Sequence, residues 1–456
     1  MTRKVVWGFF AVVIPSAVQA QYPAGQYYTP NVHLVSHVPL GAANTVMDLE
    51  IEQDLARPYA YVTRSNYGRV TPPQIGYDLI DLKDPSKAHV ILRWRIDRPE
   101  LHQGIGGTNG KYFKLKGRYY YAQAFQFGKD GPDADLSIIV FDVNGLPDTS
   151  KVREVGRIRV PDIPGGAHNL YAYKHSDGQV LLFVTVEALQ TYQYGAHIYD
   201  MEKLLAGAAD QGFVAGVPLP EPRGANRGYH DAYVAYDQVN KRDVFYGGGP
   251  ETSPLGGNYV YDVTDPTKPK LLASIIAQAS MQSGGHTFVA TPDGRYGFTI
   301  MTSPAHQPMR IWDLKPALDG TTPSIKAPIG EWTADPKKSA HMIEIRWPYL
   351  FLAHYEDGLQ ILDIRYPNDP VQVGFYDTYN YREPYEGGGV AKGAFGLDVR
   401  NADGLVVVAD MQSGFWAFHL DGFDGWNGHD WGMPNTSSVQ DWDNGPDGAP
   451  KARRVS

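Results

Sequence analysis

The chain has 456 residues, a formal charge of -9 and no cysteine. Without thiols there are no disulfides, zinc fingers, iron–sulfur clusters or thiol catalysis, and a metal would have to rest on nitrogen and oxygen ligands. The acidic balance, with no run of Lys and Arg in the body of the chain, argues against a nucleic-acid partner.

Residues 1–20 place Arg3 and Lys4 before an apolar run over 5–13 and end in the small-x-small pattern Val18-Gln19-Ala20. This is the layout of a secretory signal peptide. The run is too short to span a bilayer, and no later segment reaches about 18 consecutive apolar residues, so no membrane span is expected. The reading is an exported protein, periplasmic or secreted, that begins at Gln21 and carries a formal charge of -11 once Arg3 and Lys4 are lost.

Residues 21–44 contain Asn31-Val32-His33-Leu34-Val35-Ser36-His37, an alternating run closed by Pro39. From 45 to 420 the chain repeats a strand that ends in an apolar-x-Asp-apolar phrase. The copies are Leu79-Ile80-Asp81-Leu82, Val140-Phe141-Asp142-Val143, Ile198-Tyr199-Asp200-Met201, Val260-Tyr261-Asp262-Val263, Ile311-Trp312-Asp313-Leu314 and Ile361-Leu362-Asp363-Ile364. A seventh, Ala417-Phe418-His419-Leu420, has lost the Asp; the spacings are 61, 58, 62, 51, 50 and 56 residues. That period is one four-stranded antiparallel blade, so the fold expected is all-β, a seven-bladed β-propeller. The 49 Gly, 34 Pro and 30 Tyr fit many short strands joined by turns. Because the seventh copy runs straight into a Gly-, Asp- and Trp-rich tail over 421–456, the last blade lacks an outer strand. The run at 31–37 is the right type to supply it and close the ring.

Three copies continue into a Pro-containing turn and an outer strand: Lys83-Asp84-Pro85-Ser86-Lys87, Thr264-Asp265-Pro266-Thr267-Lys268-Pro269 and Tyr366-Pro367-Asn368-Asp369-Pro370. Here the sequence resembles the LVIVD-repeat family, most closely in the repeats that end at Asp81, Asp262 and Asp363. The resemblance implies an exported or cell-surface bacterial propeller and no particular reaction.

Four consecutive blades open with a small residue or Tyr followed by His: Gly166-Ala167-His168, Gly228-Tyr229-His230, Gly284-Gly285-His286 and Ser339-Ala340-His341. Their spacings of 62, 56 and 55 residues are one blade each, and with 14 His in the chain, chance placement is a poor explanation. Met47, Lys111 and Phe395 align at the same point in blades one, two and seven. The functional reading is that His168, His230, His286 and His341 point into the central channel and hold one metal ion, Fe, Cu or Zn, leaving positions for oxidation chemistry on a small substrate. In architecture this is similar to the carotenoid cleavage oxygenases, with iron on four His in a propeller, and to the selenium-binding proteins that include methanethiol oxidases; no motif specific to either is present. The competing reading comes from WD-repeat propellers, where such a His hydrogen-bonds an Asp later in its blade and locks it. A third uses the histidines as metal-free acid–base groups, and a metal-free scaffold for an unknown protein partner is the alternative overall function.

Asp231, Glu187, Glu344 and His354 are candidates to orient the metal ligands. The aromatic segments Gln190-Thr191-Tyr192-Gln193-Tyr194 and 379–389 are candidates to rim a channel mouth, or simply to pack between blades.

Overall fold

The computed structural model describes residues 26–42, 44–128, 131–160, 165–186, 194–220, 228–249, 257–276, 285–302, 306–379, 392–426, 441–443 and 445. The expected leader at 1–20, Glu187, most of both aromatic segments and most of the tail lie outside them.

Seven antiparallel sheets form a ring, each a blade of four strands with one extended to five: a seven-bladed β-propeller. Blade one runs Val46–Ile51, Tyr59–Arg64, Gly76–Asp81 and His89–Arg95 from the channel outward. The next five blades repeat the order, from Gly104–Leu115, Leu170–Lys174, Asp231–Asp237, Thr287–Ala290 and Met342–Arg346 at the channel. Blade four gains its fifth strand from Ser324–Ile325, which pairs in parallel with Lys270–Ile275.

The burial of each strand explains its composition. Second and third strands lie between two neighbouring blades, so both faces are covered. Tyr59–Arg64 and Leu136–Asp142 are buried at every residue. Such strands read as continuous apolar runs instead of alternating ones. Outer strands such as His89–Arg95 have one rim facing water and mix Arg and His with Val, Ile and Trp. Each fully buried Val, Leu or Phe contributes roughly 1.5–3 kcal/mol, so the inter-blade faces supply most of the stability.

The repeat phrase has two structural signatures. In blades one, two, three, four and six the third strand slips register against the fourth at the same place, between Leu79/Ile80, Val140/Phe141, Ile198/Tyr199, Val260/Tyr261 and Ile361/Leu362. A bulge there bends the outer strand and sharpens the blade's twist. The phrase Asp then accepts the backbone N–H two residues on: Lys83, Asn144, Glu202, Thr264, Lys315 and Arg365 donate to Asp81, Asp142, Asp200, Asp262, Asp313 and Asp363 at 2.7–3.1 Å. These are Asx turns that launch the chain toward the fourth strand.

Blade seven closes the ring as expected. Ala394–Val399, Val406–Asp410 and Gly414–Leu420 are completed by Val32–Val38, pairing Val32 with Leu420, His33 with His419 and His37 with Trp416. Val32 is buried between Leu420, Phe418 and the neighbouring blade. No helix among the described residues is long and apolar enough to cross a membrane.

Candidate metal centre in the channel

Each of the four histidines immediately precedes, or stands two residues before, the first strand of its blade. The backbone is pinned there by bonds to the second strand: His168 N donates to Thr185 O, His230 N to Gly248 O, His286 N to Ile300 O and His341 N to Ala353 O. Glycine makes the approach possible. A Cβ on Gly248 would sit 2.2 Å from His286 O, and Gly166, with φ +68°, would place one 2.1 Å from Phe125 O.

The rings form one row. Centroids are 3.9 Å apart for His168 and His230, 3.8 Å for His230 and His286, and 4.8 Å for His286 and His341, and Phe395 ends the row 3.7 Å beyond His341. His230, His286 and His341 are buried and His168 is partly exposed.

Every ring uses Nδ1 toward a protein oxygen. His168 Nδ1 is 2.8 Å from Gln126 Oε1, His230 Nδ1 is 3.1 Å from Asp231 Oδ1, His286 Nδ1 is 2.9 Å from Thr287 Oγ1 and His341 Nδ1 is 2.8 Å from Phe395 O. An amide oxygen, a carboxylate and a carbonyl only accept. Thr287 gives its own hydrogen to Asp231 Oδ2, 2.6 Å away, and so accepts from His286 as well. Each Nδ1 is thus turned onto an acceptor and carries a proton, and in His286 and His341, which burial keeps neutral at pH 7, Nε2 is the lone-pair nitrogen, as in a metal ligand.

Asp231 is the hub. Asn169 Nδ2 donates to its Oδ1 at 2.7 Å, and His286 Nδ1 lies 3.6 Å from its Oδ2. Burial works to raise this carboxyl, but His230, then His286 and His168, outweigh it and hold it well below the usual range. Burial pushes His341 down to about 4 and, with the neighbouring His230, holds His286 well below its ordinary value, so both are neutral at pH 7. One ligand atom from each of His168, His230 and Asp231 lies within 4.8 Å of the others; His286 and His341 continue the row beside this group.

The blade-locking reading fails on the partners just given. The phrase Asp of each blade is spent on its own Asx turn, and the four rings bond Gln126, Asp231, Thr287 and Phe395 instead.

The alignment of blade two also needs correction. Thr185 Oγ1 accepts from Asn169 N and reaches His230 O at 2.8 Å, stapling blades three and four. Thr63 Oγ1 does the same between blades one and two, accepting from Asp48 N and reaching Thr108 O at 2.7 Å. Asp48 thus matches Asn169, Met47 matches His168, and the residue equivalent to His230 is Thr108, not Lys111. Blades one and two share a register slip at the same point, Val46/Leu49 and Gly107/Gly110, so Thr108 lies one 61-residue period after Met47 and Lys111 stands three residues further along the strand.

Lys111 instead belongs to a second layer, where the alternation of each inner strand points the chain inward again. Its Nζ pairs with Glu50 Oε2 at 2.6 Å, and Glu344 and Asp398 share the layer with Arg346, which binds Glu344 Oε2 at 2.7 Å. Burial raises Glu50 well above the carboxylate range against the pull of Lys111. Burial, with Glu344, pushes Asp398 to about 6. Burial works to lower Lys111, but Glu50, Asp48, Asp398 and Glu344 together hold it above its ordinary value. The sequence reading did not single out this layer, although reading three residues on from the histidine frame, to Glu50, Lys111, Glu344 and Asp398, finds it.

Of the other expected orienting residues, Glu344 is tied to Arg346, and His354 turns to Asp357, 3.0 Å away, and packs on Trp332 instead of on His341.

No protein-family model matches the sequence, and no curated protein sequence does. Among solved structures, Raptor from Chaetomium thermophilum superposes on 88% of this chain with a TM-score of 0.55 and 10% sequence identity. The chain spans 30% of that protein's length, so the likeness shows a shared propeller and nothing further.

Proposed function

We propose that this is an exported propeller metalloprotein whose channel row holds one transition-metal ion and which acts as an oxidoreductase on a small substrate. The observation that carries the reading is the shared orientation of His168, His230, His286 and His341: each Nδ1 is turned onto a protein oxygen, which makes Nε2 the atom by which each ring would meet a metal. Neutral, pre-oriented imidazoles with an ionised carboxylate beside them suit Fe(II), Cu or Zn.

His168, His230 and Asp231 are the donors whose ligand atoms lie together, and the four-histidine site read from the sequence also calls on His286 and His341, which stand outside that group in the same row of rings. The ion, when bound, supplies Lewis-acid or redox chemistry. The chain's own residues fix the ring planes, keep His286 and His341 uncharged, and place the ionised Asp231 where it offsets the positive charge. Export rests on the leader at 1–20, and the bacterial cell-surface setting on the LVIVD-like repeats.

Elemental analysis of untagged protein from its native compartment tests the reading. One equivalent of iron, copper or zinc, lost in His230→Ala/His286→Ala, supports it. A metal-free protein whose double variant only melts at lower temperature overturns it and makes the channel row a structural feature of a binding scaffold.

A further inference from the structure

The seam of the ring carries a separate pair of imidazoles. His33 on Val32–Val38 and His419 on Gly414–Leu420 are direct cross-strand partners. Their side chains therefore share one face of the sheet, with Cβ atoms about 4.5–5.5 Å apart. Both reach solvent, at 53% and 36% side-chain exposure.

Each ring turns the same nitrogen onto a carboxylate from the segment that follows the last strand. His33 Nε2 is 2.8 Å from Asp421 Oδ1, and His419 Nε2 is 3.3 Å from Asp424 Oδ1. A carboxylate that takes one ring N–H fixes the tautomer and makes the other nitrogen the basic one, as behind metal-bound histidines. Here that nitrogen is Nδ1 of His33, whose Nε2 is hydrogen-bonded to Asp421, while His419 and Asp424 make an ion-pair contact at 3.3 Å. A single His–Asp pair on a surface is ordinary; here a second imidazole with its own carboxylate neighbour stands directly across the strand pair, and two exposed rings on one face form a two-point ligand.

We propose that His33 and His419 form an exposed site for one borderline divalent ion such as Ni²⁺ or Zn²⁺, with Asp421 and Asp424 orienting the rings and solvent filling the remaining positions. An ion held there ties the ring-closing strand to the last strand of the chain. Because it binds the closed ring better than the open one, it raises stability in step with its concentration over Kd.

Ni²⁺ titration of full-length, chelator-stripped protein tests this in the His230→Ala/His286→Ala background, which removes the channel row. Equilibrium dialysis is expected to give one bound equivalent, with a Tm rise of a few degrees. His33→Ala and His419→Ala should each abolish both effects, and Asp421→Asn should weaken binding ten- to hundredfold. The residues face solvent, so the variants keep the parent Tm in chelator. No binding in the background protein, or binding that survives both His33→Ala and His419→Ala, overturns the proposal. Neither outcome depends on whether the channel holds a metal.

Discussion

Asp48 gives the sharpest energetic test of the channel's structure. Its carboxylate is 2% exposed, accepts from Asn109 Nδ2 and sits beside Gly396, whose missing side chain leaves room for it. Burial raises its pKa from 3.8 to about 7; Lys111 and the Leu49 amide oppose the shift, while Asp231 and Asp398 add to it. The folded value exceeds the unfolded one, so the folded state binds this proton more tightly. The associated stability is complete below about pH 4 and is lost as pH rises through about 7. Across that window the loss runs at about 1.4 kcal/mol per pH unit. Asp48→Asn keeps the shape and an acceptor for Asn109 but has nothing to titrate. Between pH 5 and 7 the variant should therefore gain on the wild type by about 3 kcal/mol, an order-of-magnitude figure for a group this deeply buried. Urea unfolding of both proteins at pH 5, 6, 7 and 8 measures the difference directly. Two stability curves that stay parallel over that range would refute the assignment of a raised pKa to Asp48.

Two further outcomes follow from the hydrogen-bond network. Asp231→Asn removes the charge that His230, His286 and Thr287 converge on, so metal affinity should fall at least ten- to hundredfold while the fold persists; unchanged affinity by competition with a chromophoric chelator would contradict the hub role. Thr185→Val strips the staple between blades three and four, leaving Asn169 N and His230 O without their hydroxyl partner, and should cost about 1–3 kcal/mol in chemical denaturation, with Thr63→Val similar between blades one and two.

What the sequence makes legible depends on whether the signal repeats. Six phrase Asp residues at blade-length intervals reveal the ring because every copy makes the same Asx turn and, in five of the blades, the same bulge. The run at 31–37 announces itself as the closing strand because the seventh copy has no outer strand of its own. The histidine frame is visible for the same reason. Lys111 misleads because blade two has no His to mark the frame, and an alignment on the downstream Tyr pattern lands three residues beyond Thr108, in the ion-pair layer. Asp231 stood out beside His230, but its hold on Thr287 and Asn169 joins three different blades, and such contacts follow from ring geometry that no local pattern encodes. The phrase Asp looked like a partner for the blade's histidine; its short side chain instead finds the nearest donor, two residues along.

The closing strand has a consequence for how the molecule is made. Val32–Val38 is made before every other blade strand, while its partner Gly414–Leu420 follows all of them, so the first strand waits unpaired until the other six blades have been made. Contacts of such long sequence separation form late because a large loop must close before they repay its entropy. Six blades can therefore assemble as an open arc with two sticky ends, and closing the last blade buries both edges in a single step. A nascent chain stalled before residue 414 has no way to hide either edge, which makes the arrival of Gly414–Leu420 the step that removes both from the reach of other chains.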